Sequence, residues 1–207
     1  MPLIKLNTQS ATTLDATKLT GNLPAISGAS LTGIASDMVK LADIDVTSGS
    51  SVSIDGYFSS TYASYQLIIS EFFFASDTWL KMRFNTGGST HTGGNWNWVS
   101  EYNLRSSSSN SAGTYGAFNN NYCPVTYHTS NGSVGRVARI FFDDPLVSDK
   151  YKMIRTITAH YTGGAEVMLE DVAGYWHGSS GATTGITLFP NASTTFSRLK
   201  AQLYGTK

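Results

Sequence analysis

Residues able to recognise a sugar gather between positions 95 and 122. The chain there reads Asn95-Trp96-Asn97-Trp98, then Tyr102, a serine run from Ser106 to Ser109, Tyr115, Phe118 and Asn119-Asn120-Asn121-Tyr122. Aromatic rings stack on the apolar face of a saccharide, while amide side chains both donate to and accept from its hydroxyls. The candidate ligand contacts are therefore Trp96, Trp98, Tyr102, Tyr115, Phe118, Asn120 and Tyr122. Trp96 and Trp98 lie two apart, so they equally suit one strand face turned into a core. Residues 106–121 read as a long polar loop, and loops of that length often carry function. Trp176 and His177, within Tyr175-Trp176-His177-Gly178 before a Gly/Ser-rich stretch, form a second candidate.

Other chemistries find no matching pattern. His91, His128, His160 and His177 share no His-x-x-x-His or His-x-Glu spacing, so no metal site is expected. Cys123 is the one cysteine, which excludes a disulfide framework, and it reads as a lone buried thiol. Carboxylates cluster at Asp143-Asp144 and at Glu166 with Glu170-Asp171. Glycoside cleavage needs two carboxyl groups roughly 5 to 10 Å apart across a cleft, and any β-rich chain with 14 acids offers some such pair, so these clusters do not single out an enzyme. No nucleophile elbow, phosphate loop or dinucleotide fingerprint occurs. No catalytic residue and no cofactor is expected.

The elements that must position these residues are strands. Trp79 to Asn85 alternates, with Leu80, Met82 and Phe84 on one side and Lys81, Arg83 and Asn85 on the other. Residues 195–204 alternate likewise, with Leu199, Ala201 and Leu203 inward. Half-buried antiparallel strands have this period of two. Further strands are expected at 52–57, 65–74, 96–104, 134–142, 151–161, 166–176 and 186–189, separated by glycine-rich turns. Leu67-Ile68-Ile69 and Phe72-Phe73-Phe74 are apolar on both faces, which calls for a second covering partner such as another subunit.

Composition agrees with a β-rich chain and narrows its partners. The 207 residues include 20 glycines and 12% aromatics, with 41% hydrophobic residues to build a core. Charged residues make up only 14% and the net charge is zero, against about a quarter charged in ordinary domains. A nucleic-acid partner, which needs a basic stripe, is not expected. No apolar run approaches the ~20 residues that cross a bilayer, so no membrane insertion is expected.

The first 44 residues are of another kind. Leu14, Leu19, Leu23, Ile26, Leu31 and Ile34 recur every three to five positions among Thr, Ser, Gly and Asn. Pro24 and three glycines interrupt any helix, and Leu19-Thr20-Gly21 returns as Leu31-Thr32-Gly33. Such a segment cannot offset its ordering entropy alone. It reads either as a linker or as a stalk in which identical copies share their leucines along an axis. Extended, residues 1–36 reach on the order of 100 Å.

The run Leu19-Thr20-Gly21-Asn22-Leu23-Pro24-Ala25-Ile26-Ser27-Gly28-Ala29-Ser30-Leu31-Thr32-Gly33-Ile34 resembles a repeat of bacteriophage tail-fibre and related virion fibre proteins. The acidic residue usual in that repeat is missing, since the centre reads Ser27-Gly28-Ala29-Ser30. The resemblance implies a homotrimeric virion fibre assembled in the host cytoplasm, bound to other tail or capsid proteins through its N-terminus. The expected architecture is all-β: an extended stalk over 1–44, then an antiparallel, jelly-roll-like β-sandwich head over 45–207. The expected function is adsorption to a host-surface glycan or outer-membrane receptor. A capsid decoration protein without a specific receptor is the alternative, and a glycan-degrading enzyme a more distant one.

Overall fold

The computed structural model describes residues 37–106, 108–127, 136–161, 166–178 and 181–207. The chain divides into two units, Met1–Ser36 and Asp37–Lys207. The expected stalk positions Leu14, Leu19, Leu23, Ile26, Leu31 and Ile34, and likewise His128, lie outside the described residues. Residues 38–44, read from the sequence as the end of the stalk, belong to a strand of the second unit.

The described residues of this unit form thirteen strands: β1 (Met38–Val46), β2 (Val52–Asp55), β3 (Ser64–Phe74), β4 (Leu80–Thr86), β5 (Ser89–Thr90), β6 (Trp96–Arg105) and β7 (Asn110–Asn120), followed by β8 (Cys123–Pro124), β9 (Arg136–Asp143), β10 (Lys152–Tyr161), β11 (Val167–Trp176), β12 (Gly185–Pro190) and β13 (Phe196–Thr206). The larger sheet has eight strands in the order β1-β13-β3-β9-β10-β11-β6-β7. The smaller runs β2-β12-β4-β5, with β8 also paired to β4. Every pairing is antiparallel. The described residues therefore form an all-β fold of two antiparallel sheets.

One core joins the sheets. Alternation turns Leu67 and Ile69 of β3 inward, an irregularity at Ser70-Glu71 shifts the period by one so that Phe72 and Phe74 follow, and Leu80, Met82 and Phe84 of β4 face them. Phe84 is the hub: its ring stacks on Trp96 of β6 at 5.0 Å and meets Trp176 of β11 at 5.6 Å and Phe142 of β9 at 6.1 Å. Ile68 and Phe73, the second apolar face noted in the sequence, point outward and are half-buried. The β4–β5 hairpin closes through Gly87-Gly88, both at positive φ (55° and 81°). A two-residue turn of that hand matches strand twist and favours glycine.

Two expectations change. Residues 106–121 are not a long loop: 110–120 form β7, an edge strand paired along β6 from Trp96↔Asn120 to Arg105↔Asn110. Its polar side chains gave no alternation to read, because neither face of β7 is covered and the strand is held by its main-chain bonds to β6. Lys81 and Asn85 face outward as expected, yet both are buried. Trp79, Tyr122 and Phe189 pack around Lys81, whereas Asn85 donates to Ser53 Oγ at 3.0 Å and accepts from Thr187 Oγ1 at 2.9 Å.

Candidate functional site

The structure sorts the sugar-recognition candidates into two groups. Trp96, Trp98 and Trp176 are buried, at 0%, 7% and 1% exposure. They offer no ring face to a ligand and are core residues instead. Register explains this: Trp96 pairs with Trp176, and Trp98 with Gly174, on the side of the larger sheet that Phe84 covers. Gly174 is small because a side chain there would meet Cys123 Sγ at 2.7 Å and Trp98 Cβ at 3.3 Å. Cys123 is fully buried, and burial pushes its thiol well above the ordinary range.

Tyr102 and Tyr115 stay near the surface, their rings stacked at 5.6 Å across β6 and β7. Tyr115 leans on Tyr127 at 4.5 Å. Asn120 and Tyr122 are half-buried just past them. Burial raises the Tyr122 phenol, and a hydrogen bond with Asn120 opposes that rise. Tyr102, Tyr115 and Asn120 lie along the β6–β7 ribbon on the side of Trp96, Trp98 and Ser100, and so share no face with Phe118.

Phe118 projects instead from the outer side of the larger sheet, 83% exposed. A β-bulge puts it there. Trp98 pairs with Ala117 but Trp96 with Asn120, so Phe118 and Asn119 together oppose Asn97. Asn119 absorbs the extra residue at φ +53°, a left-handed conformation that asparagine tolerates better than most. Its backbone N–H donates to Asn97 Oδ1 at 2.7 Å. Bulges of this kind re-aim a side chain.

Around Phe118 the sheet register assembles residues the sequence keeps far apart. Asn97 pairs with Tyr175, and Tyr175 with Met153. Asn97 Nδ2 donates to the Tyr175 hydroxyl at 2.5 Å, fixing that ring. Tyr151, 63% exposed, stacks on Tyr175 at 5.3 Å and 16°, and His177 closes the group at 5.9 Å from Tyr151 and 6.1 Å from Tyr175. Of this platform the sequence indicated Phe118 and His177. Asn97 and Tyr175 stood inside the two candidate segments without being singled out as contacts, and Tyr151 and Met153 had no local signal.

Chemically the platform is a neutral aromatic surface with fixed amide and phenol groups. The hollow between Asn97, Val99, Phe118, Met153 and Tyr175 holds about 250 Å³, below the ~300 Å³ at which enclosing ligand pockets begin. It can stack against a flat apolar ring but cannot surround one. The acidic clusters do not supply a facing pair here. Glu170 points inward, accepting from Ser100 Oγ at 2.6 Å and from the Tyr127 N–H at 2.9 Å. Asp171 points outward and pairs with Arg155 at 2.5 Å. Among the described residues no three His, Cys, Asp or Glu side chains converge as a metal site would require.

Searches of protein families, curated proteins and solved structures return no match for this chain.

Proposed function

We propose that the protein is a structural virion protein: a homotrimeric phage tail fibre with an N-terminal stalk and a jelly-roll-like head that adsorbs to host-surface glycan. The observation that carries this reading is the Gly21–Ile34 repeat standing immediately before an all-β unit. The strand order supports the jelly roll. β1, β13, β3 and β9 adjoin in one sheet and β2, β12, β4 and β8 in the other, so the chain passes between sheets as two Greek keys would require. The strands β10, β11, β6 and β7 then extend the first sheet beyond that frame.

Support for self-association comes from the outer side of the larger sheet. Val137, Met153, Ile157, Val167 and Leu169 are all about half exposed there, and Val137, Ala159 and Leu169 stand in one cross-strand row. Contiguous exposed apolar surface of this kind marks an interaction site. The Phe118–Tyr175–Tyr151 platform supports shallow glycan contact, which three heads per fibre convert into avidity.

Light scattering on the full chain tests the assembly. A mass of three chains is expected, falling when residues 1–36 are removed, a cut that leaves β1 whole, whereas a monomeric full chain overturns the trimer. Antibody labelling of particles under the electron microscope tests the location. Labelled tails and inhibition of host-cell adsorption by the purified protein support the fibre. Labelled capsids without cell binding make it a decoration protein, and shortening of host polysaccharide makes it an enzyme.

A further inference from the structure

We propose that Lys81 and Arg83, on the outer side of the smaller sheet, bind an anionic group carried on a saccharide, a carboxylate or a phosphate. This deepens the glycan-adsorption reading and rests on it for the saccharide. The anion site itself rests on the geometry of β4.

Alternation along β4 places Lys81 and Arg83 on one face, opposite Phe189 and Thr187 of β12. Lys81 Nζ lies 3.5 Å from the Tyr122 ring centre and 4.9 Å from that of Trp79. The Arg83 guanidinium lies 4.4 Å over Phe189. Its Nε donates to the Asn121 carbonyl at 2.7 Å, which orients the fork, and among the described residues neither terminal nitrogen has a hydrogen-bond partner. An arginine held in this way is prepared for two parallel bonds to a carboxylate or phosphate.

The pair also lacks counter-charge. Some cations elsewhere meet acids, as Lys40 meets Asp43, Arg155 meets Asp171, and Arg198 meets Asp45 and Glu71, while Arg105, Arg139, Lys150 and Lys207 stand in water, where an unpaired charge costs little. Among the described residues no carboxylate forms an ion pair with Lys81 or Arg83. Burial, then the charge of Arg83, holds the Lys81 ammonium down to about 8. Burial likewise lowers Arg83. Aromatic faces attract a cation but cannot neutralise it, so two like charges stay close together and partly stripped of water. A bound anion relieves both costs. The half-buried rings of Trp79, Tyr122 and Phe189 flank the cations, giving a sugar's C–H face a surface beside its charge.

Titration calorimetry on the full-length protein tests this with three probes: a galacturonic-acid oligomer, a sugar phosphate and a neutral galactose oligomer of matched length. At least one of the two acidic probes is expected to bind, more weakly as salt rises, and at least tenfold more tightly than the neutral one. Whether the uronate or the phosphate binds better identifies the source of the anion. Arg83→Gln should reduce that affinity at least tenfold, and Arg83→Lys, which keeps the charge but not the fork, by less. Lys81→Met should match Arg83→Gln, with the Arg83 pair preserving the test if Lys81→Met fails to fold. Failure of both acidic probes to bind, binding unchanged by Arg83→Gln, or equal binding of the neutral oligomer would overturn the proposal. Acidic-sugar binding by a protein absent from virions would instead sink the fibre reading and leave the site standing.

Discussion

Gly185 lies in β12 where the backbone of β2 comes close. A methyl group on it would sit 2.1 Å from the Ile54 carbonyl and 2.5 Å from the Asp55 Cα. Main chain cannot yield as a flexible side chain can, so Gly185→Ala is expected to cost roughly 2 kcal/mol, the scale of overpacking. Thermal unfolding followed by circular dichroism checks this. Lys81 offers a residue-level test of a different kind. Its folded form releases the proton near 8, whereas the unfolded chain holds it to the ordinary value of 10.5. Between those values the unfolded state binds more protons, so this lysine makes stability rise with pH across that window. Lys81→Met should remove the rise, and NMR of labelled lysine side chains should find one of them titrating near 8. Tyr122, whose phenol is raised, acts in the opposite sense but only above the ordinary phenol range.

At the scale of elements, the β6–β7 ribbon shows how one extra residue aims a side chain. The bulge at Phe118-Asn119 depends on the positive φ of Asn119. Asn119→Gly should keep stability within a few tenths of a kcal/mol, since glycine takes that conformation freely. Asn119→Val should cost about 1 to 2 kcal/mol, the penalty of left-handed backbone for such a residue. Denaturant unfolding of the two variants separates them, and the same series moves Phe118 relative to Tyr175. The alternation of β4 and β13 was legible in their residues, whereas β3, apolar on both faces, was legible as a strand without showing which side is inward. β7 was not legible, since neither face of Asn110–Asn120 is covered and no apolar alternation is needed there.

For the whole molecule, the question is what covers the outer side of the larger sheet. Arg139, Ile157 and Asp171 stand in one row across β9, β10 and β11, so charges flank an exposed isoleucine. If this side joins copies of the chain, Ile157→Lys with Leu169→Lys should lower the mass in sedimentation while leaving the unfolding of the isolated head within about 1 kcal/mol. Both residues face solvent in the single chain, and surface substitutions there cost little. An unchanged mass would place the interface elsewhere.

The sequence by itself determined the strand character of the second unit and the relative sides of its residues. Leu80, Met82 and Phe84 had to share a face, as did Trp96 and Trp98, because the period of a strand is two. It also bounded the chemistry, since a neutral chain with one cysteine and scattered histidines holds few reactive constellations. Only the tertiary structure decided which side of each strand is covered. That choice depends on the second sheet, whose Phe84 arrives from another part of the chain to bury Trp96 and Trp176. Register decided the rest, bringing Asn97, Tyr151 and Tyr175 beside Phe118. Pairing across strands is a long-range matter, fixed by packing and bulges that no local spacing records.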